Sequence, residues 1–270
     1  MEAVYRLPAV NSVSVGAPFR WLAQGWADMW RAPGPLLLHG LVIALISFAI
    51  TYGIYVTSAA FWVLSLTFGF VFVAPVLAMG PYEAGRIIDQ GGKVTLGRIT
   101  FVRGALRTDV AYLGLALLLI YFFWGRIAQV VYGLSTWRLY HTAPEFIDFA
   151  LGTPEGHKMM IVGTIVGLSI AFLAYAMVVV SAPMLLDPRQ SVFSATATSV
   201  RSVTANPGPM VLWAVILLVA LNLVAASGFV LMIVAFPWLG LASWRAYREL
   251  VADDAVAEAA VRPAAAASGA

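Results

Sequence analysis

Three side chains able to do chemistry stand inside otherwise apolar stretches: His39, Arg126 and Asn222. Imidazole can ligate a metal or carry a proton, guanidinium can hold an anion, and a carboxamide can line a polar path. In hydrocarbon each is a candidate functional position. Each also has a structural reading. His39 lies about one turn inside its apolar run, where a neutral ring can bond to a neighbouring helix or to headgroups. Arg126 follows Trp124 near one end of its run, so its head can snorkel to the interface or pair with Glu145 or Asp148 of the next loop. Asn222, like Ser47, Thr51, Ser65 and Thr67, can hold helices together for about 0.6–2 kcal/mol. The chain has three histidines, His39, His141 and His157, and no cysteine. That excludes disulfides and thiolate chemistry. It contains no Gly-rich phosphate loop, Ser/His/Asp set, paired intramembrane carboxylates or metal-ligand spacing. The expectation is a non-catalytic protein with no cofactor and no metal.

What must position these residues is set by composition. Of the 270 residues, 61% are hydrophobic and 11% charged, far from the roughly 45–50% and about 25% of soluble domains. A mean hydropathy of +0.89 leaves too little polar surface to face water, so the bilayer is the solvent. The net charge of +3 is dispersed between apolar runs and forms no face for nucleic acid. Six runs are long enough to cross about 30 Å of hydrocarbon as helices: Leu36–Val56, Ala60–Met79, Val110–Leu134, Met159–Ala182, Met210–Ala226 and Gly228–Trp244. The last two meet at a tight Ser227-Gly228 turn and are near the lower length limit. This gives an all-α, polytopic membrane protein with one membrane domain at 18–251, a cytoplasmic segment at 1–17 and a disordered cytoplasmic tail at 252–270. The polar stretch before the first run is too long for a signal peptide, which predicts that this helix is kept.

With six crossings, 13 of the 16 Lys and Arg residues fall on the side of both termini. The positive-inside rule then places the termini in the cytoplasm of a multi-pass inner-membrane protein. The loop Tyr82–Asp109 holds five basic residues, of which Arg98, Arg103 and Arg107, with Trp26 and Trp30, are candidate lipid-headgroup contacts. Besides the bilayer, the expected partner is another membrane-protein complex.

Pro33-Gly34-Pro35 and Pro207-Gly208-Pro209 each open an apolar run. Before the first, Phe19, Leu22, Trp26, Met29 and Trp30 share one side of a helix, opposite Arg20, Gln24, Asp28 and Arg31. Before the second, Phe193, Ala197, Val200 and Val203 oppose Ser191, Ser194, Thr198 and Arg201. Both segments read as interfacial amphipathic helices ended by a proline corner. The order surface helix, corner, span, span thus occurs twice, and the exits "APVLAMGPYEAGR" (74–86) and "FPWLGLASWRAYR" (236–248) are alike. This predicts a parallel internal repeat.

Four motifs carry a family resemblance: Gly25-Trp26-x-Asp28, Gly80-x-Tyr82-Glu83-x-x-Arg86, Ser181-x-Pro183-Met184-Leu185-Leu186-Asp187, and Gly240 with Trp244-x-Ala246-Tyr247-Arg248. Here the chain resembles a bacterial family of integral membrane proteins known as domain of unknown function 2189, whose members are often labelled cytochrome c oxidase subunit I. The resemblance implies a membrane topology and no established activity. The chain departs from the family pattern at Leu241 and Arg245, where the resemblance leads one to expect histidines. Three histidines are too few for the haem and copper ligands of an oxidase catalytic subunit. The leading functional expectation is therefore an accessory, assembly or organising factor for another membrane complex, with a respiratory complex as one such partner. The alternatives are a small permease with a cavity between the repeat units and an oxidase-related respiratory subunit.

Overall fold

Proline at the first turn costs a helix little, because the N–H it lacks would be unpaired there anyway. Both Pro-Gly-Pro triplets use this. In the computed structural model, which describes residues 7–56, 77–140 and 142–251, α1 (Ala17–Met29) turns directly into α2 (Pro33–Val56). Then come α3 (Met79–Asp89), α4 (Leu96–Thr100), a 3-10 turn (Arg103–Leu106), α5 (Thr108–Ser135), α6 (Ala143–Gly152) and α7 (Pro154–Val178). The single-turn α8 (Ser181–Met184), α9 (Val192–Ala205), α10 (Pro207–Ala226) and α11 (Met232–Leu250) complete the order. The described residues are all-helical apart from one antiparallel bridge, Val10 to Val251.

Four helices are long and apolar enough to cross a membrane: Pro33–Gly53, Thr108–Ser135, Pro154–Met184 and Pro207–Ala226. These correspond to the first, third, fourth and fifth expected crossings. The second lies outside the described residues except for its end at residues 77–79, as does the tail from 252. The sixth, expected at 228–244, takes a different form. Its first residues make a turn in which Gly228 (φ 61°) and Phe229 (φ 70°) are left-handed, and α11 then runs on to Leu250, carrying Arg245, Arg248 and Glu249 in its last turns.

The neighbours of α11 explain why this helix tolerates charge. Its N-terminal half lies antiparallel to the start of α2, with Met232 packed beside Ala44 and Val224. Its C-terminal half lies antiparallel to α1, where a Cβ at Gly25 would stand only 2.6 Å from the Ala242 nitrogen. The tip of the α10–α11 hairpin therefore reaches only the level of Ala44. From there α2 continues for twelve residues to Val56, about 18 Å further.

The inward faces of the two amphipathic helices coincide only in part with their apolar stripes, of which Met29 and Val203 are buried. In α1, Ala17, Trp21, Gly25 and Asp28 are buried, whereas Phe19, Trp26 and Trp30 are exposed. In α9, Thr198, Ser199, Ser202 and Val203 are buried and Phe193 is 83% exposed. In water this would be inside out. In a bilayer the apolar stripe has lipid to face, and small polar residues give the close helix contacts. Ser199 shows the gain, its Oγ donating to the Ala176 carbonyl (2.8 Å) and accepting from the Val180 N–H (3.1 Å).

The two described ends lie together. The Asn11 N–H donates to the Leu250 carbonyl at 2.8 Å, and its Nδ2 donates to the Glu249 carbonyl at 2.9 Å. Asn206, at the second proline corner, accepts from the Val13 N–H and donates to the Asn11 carbonyl. The described part of the N-terminal segment is thus built into the helical domain.

Candidate functional site

Residues of the first, second and fourth motifs gather toward the face where the ends meet, and the third packs beside Tyr82 and Trp244. Asp28 of α1 is 3% exposed. It accepts from Arg245 Nε at 2.6 Å and lies 3.3 Å from Arg31. Asp89, at the end of α3, accepts from Arg245 at 2.7 Å and from the Trp244 indole N–H at 2.8 Å, with Arg248 at 3.8 Å. One guanidinium therefore ties α11 to both α1 and α3. Burial works to lower the Arg245 pKa, but the Asp28 and Asp89 carboxylates outweigh this and raise it. Nearby, Glu83 takes two bonds from Arg86, 2.7 and 2.6 Å, which raise the Arg86 pKa against the opposing effect of burial. Glu249 bonds Arg20 at 2.6 Å and the Trp21 indole at 2.8 Å. Tyr82 is buried, which pushes its pKa up, only partly offset by a hydrogen bond with Ser243.

A second cluster closes on Arg107. Its guanidinium donates to the carbonyls of Leu185, Asp187, Pro188 and Gln190 and to Asp109, all within 2.9–3.1 Å. The other Asp109 oxygen accepts from the Val192 N–H at 2.9 Å. This arginine, expected at lipid headgroups, instead holds the α8–α9 connection against the start of α5. Asp187 keeps a depressed pKa mainly through hydrogen bonds from Arg189, against the opposing effect of burial. Arg98, Trp26 and Trp30 are exposed, and Arg103 opens the 3-10 turn.

The three intramembrane candidates are not brought together. His39 is buried beside Gly80, where a Cβ would stand 2.9 Å from the ring, and beside Phe236. Its Nε2 has no hydrogen-bond partner among the described residues. Arg126 is exposed and donates to Gln129 of its own helix at 3.0 Å; the pairing with Glu145 or Asp148 is not among its bonds. Asn222 is exposed and donates to the Leu218 carbonyl of its own helix. It lies outside the cavity of about 480 Å³ between α7, α10 and α11, whose walls are almost wholly apolar, with Tyr82, Tyr175 and Ser243 the polar exceptions. The described histidines share no contact: His157, in the first turn of α7, bonds the Leu151 carbonyl.

Sequence reasoning put Asp28 on a polar outer face and assigned no role to Asp89, Asp109 or Glu249. A signal existed in Asp28 and Asp109: a carboxylate next to an apolar run needs a nearby cation.

Helices of bilayer length with exposed apolar flanks define an integral membrane protein. Within that class, residues 63–187 match the family described as "Predicted integral membrane protein (DUF2189)". The match contains the second and third motifs quoted above. The first and fourth lie outside it and reach the same cluster through Asp28 and Arg245. The cytochrome c oxidase label has no support in this match. No curated protein and no solved structure matches the chain.

Proposed function

We propose that this is a non-catalytic accessory or organising protein of the bacterial inner membrane that binds another membrane complex through the sides of its helices. The observation that carries the reading is the contrast between its two levels. On the face where the ends meet, charged residues are locked into ion pairs between helices. In the most apolar stretches of the four spans, only 17 to 39% of residues are buried, leaving rows such as Ile46, Phe48, Ile50, Leu119, Phe122 and Phe123 exposed. Two features support cytoplasmic termini and a parallel repeat. The described ends are bridged, and each Pro-Gly-Pro triplet joins a helix with lipid-facing apolar residues to a span. The test is photo-crosslinking from Phe48 and Phe122 in intact cells. A discrete adduct with one other membrane protein is expected from both positions, and lipid adducts alone would refute the reading.

A second reading, a permease, is favoured by the 480 Å³ cavity. Its apolar lining suits a lipid-like cargo better than a polar solute. Uptake of a fluorescent lipid that is lost in Ala171→Trp, which fills the cavity, would favour this reading.

A further inference from the structure

We infer that a pocket between the α1–α2 corner and the loop after α3 binds the phosphate group of an anionic lipid. The pocket, about 550 Å³, is lined by Arg31, Pro35, Gly91, Gly92 and Lys93 among others, and no acidic side chain lines it. Arg98 adds a third cation: its guanidinium lies 3.8 Å from where a Cβ on Gly92 would be. The nearest carboxylates are already engaged, Asp28 by Arg245 and Arg31 and Asp89 by Arg245, Trp244 and Arg248. Lys93 and Arg98 have no ionic or hydrogen-bonding partner among the described residues, and both are exposed. Positive charge is therefore left over at the pocket.

The level is that of a headgroup. Pro35 belongs to the first turn of a membrane-crossing helix. Trp30 and Trp26, packed edge to face at 5.6 Å, mark the aromatic belt beside it. Gly91, with φ 69°, turns the chain so that Gly92 and Lys93 form the far wall of the pocket. A phosphodiester seated there has its acyl chains beside the exposed flank of α2, in the bilayer.

The test is native mass spectrometry of the full chain in a neutral detergent, titrated with phosphatidylglycerol, phosphatidylcholine or glycerol 3-phosphate. Each exposed cation near a membrane surface is worth about fivefold in affinity. Lys93→Gln/Arg98→Gln should therefore weaken phosphatidylglycerol binding about thirtyfold and leave phosphatidylcholine binding unchanged. Arg138→Gln/Lys158→Gln, which removes the same charge elsewhere, should retain phosphatidylglycerol. Binding of glycerol 3-phosphate that is lost in the first double variant would keep the phosphate site but assign it to a soluble ligand. Equal phosphatidylglycerol binding by the wild type and the Lys93/Arg98 variant, or equal loss in both double variants, overturns the site. Thermal unfolding of each variant shows whether any loss is a folding defect.

Discussion

Arg245 Nε donates to Asp28 Oδ2 across 2.6 Å, joining residues 217 positions apart. The Asp28 side chain is 4% exposed and that of Arg245 20%. Removing either partner loses a charge-assisted hydrogen bond, about 1.5–3 kcal/mol, and strands neither charge, because Arg31 stays beside Asp28 and Asp89 beside Arg245. Arg245→Leu and Asp28→Ala should each lower stability by that order, whereas the double variant should lose less than the sum. SDS titration in mixed micelles measures this, and additive losses would show that the two residues act independently.

Arg107 is a different kind of anchor, because a planar fork serves four carbonyls and one carboxylate at once. Lysine keeps the charge but not the fork. Arg107→Lys should therefore be nearly as destabilising as Arg107→Gln, by about 2 kcal/mol or more for the carbonyls left unpaired. Full rescue by lysine in a thermal melt would mean that charge alone matters there.

The orientation of α9 predicts an unusual accessibility pattern, and the absence of native cysteine makes it easy to measure. A nitroxide on Phe193→Cys should collide with oxygen, which dissolves in lipid, and not with a water-soluble nickel chelate. A label on Thr198→Cys should reach neither. Nickel access at Phe193 would place that face in water. Ser199→Val should cost about 1–3 kcal/mol, because it leaves the Val180 N–H without its acceptor.

These residues also show what could be read in advance. The spans at α2, α5, α7 and α10 follow from apolar runs of crossing length, and the proline corners from the chemistry of the imide. The inner face of α9 does not follow from the amphipathic pattern, because the rule that apolar stripes point inward assumes water outside. The charged end of α11 does not follow for a related reason: hydropathy registers Arg245 but not its partners, which come from α1 and α3. The short helix α6 is legible in the sequence, since Thr142 and Glu145 have the spacing of a helix start and the Glu145 N–H does bond the Thr142 hydroxyl. The pocket beside Lys93 depends on two loops meeting in space, and no local pattern records that.

Asp187 gives a pH dependence. Arg189 holds its carboxyl below the usual carboxylate value, so the folded state binds this proton less readily than the unfolded one. The resulting stability is fully present above the unfolded pKa, about 3.9, and is lost as pH falls through the folded value. Asp187→Asn should therefore be less stable than the wild type at neutral pH, and the difference should shrink in acid. Melting temperatures between pH 3 and 7, a window set by that value, measure it, and a constant gap would rule out the linkage.

His39 distinguishes a structural role from a functional one. Its ring fills the space beside Gly80 and Phe236, yet its buried Nε2 has no acceptor or donor among the described residues. A buried polar atom in that state costs about 1–3 kcal/mol, so an apolar side chain of similar size should be tolerated better than the native ring. His39→Leu is expected to melt at the same temperature or higher, since the recovered desolvation penalty offsets the change of shape. Gly80→Ala is expected to destabilise, because the new methyl meets both the imidazole and the Ile99 carbonyl, 2.5 Å away. Combined with His39→Leu, the alanine should cost less, since one of its two obstacles becomes a more compliant side chain. A large loss in His39→Leu alone would mean that the imidazole is held by a bond, and the candidate role of this residue in proton or ligand chemistry would then become the stronger reading.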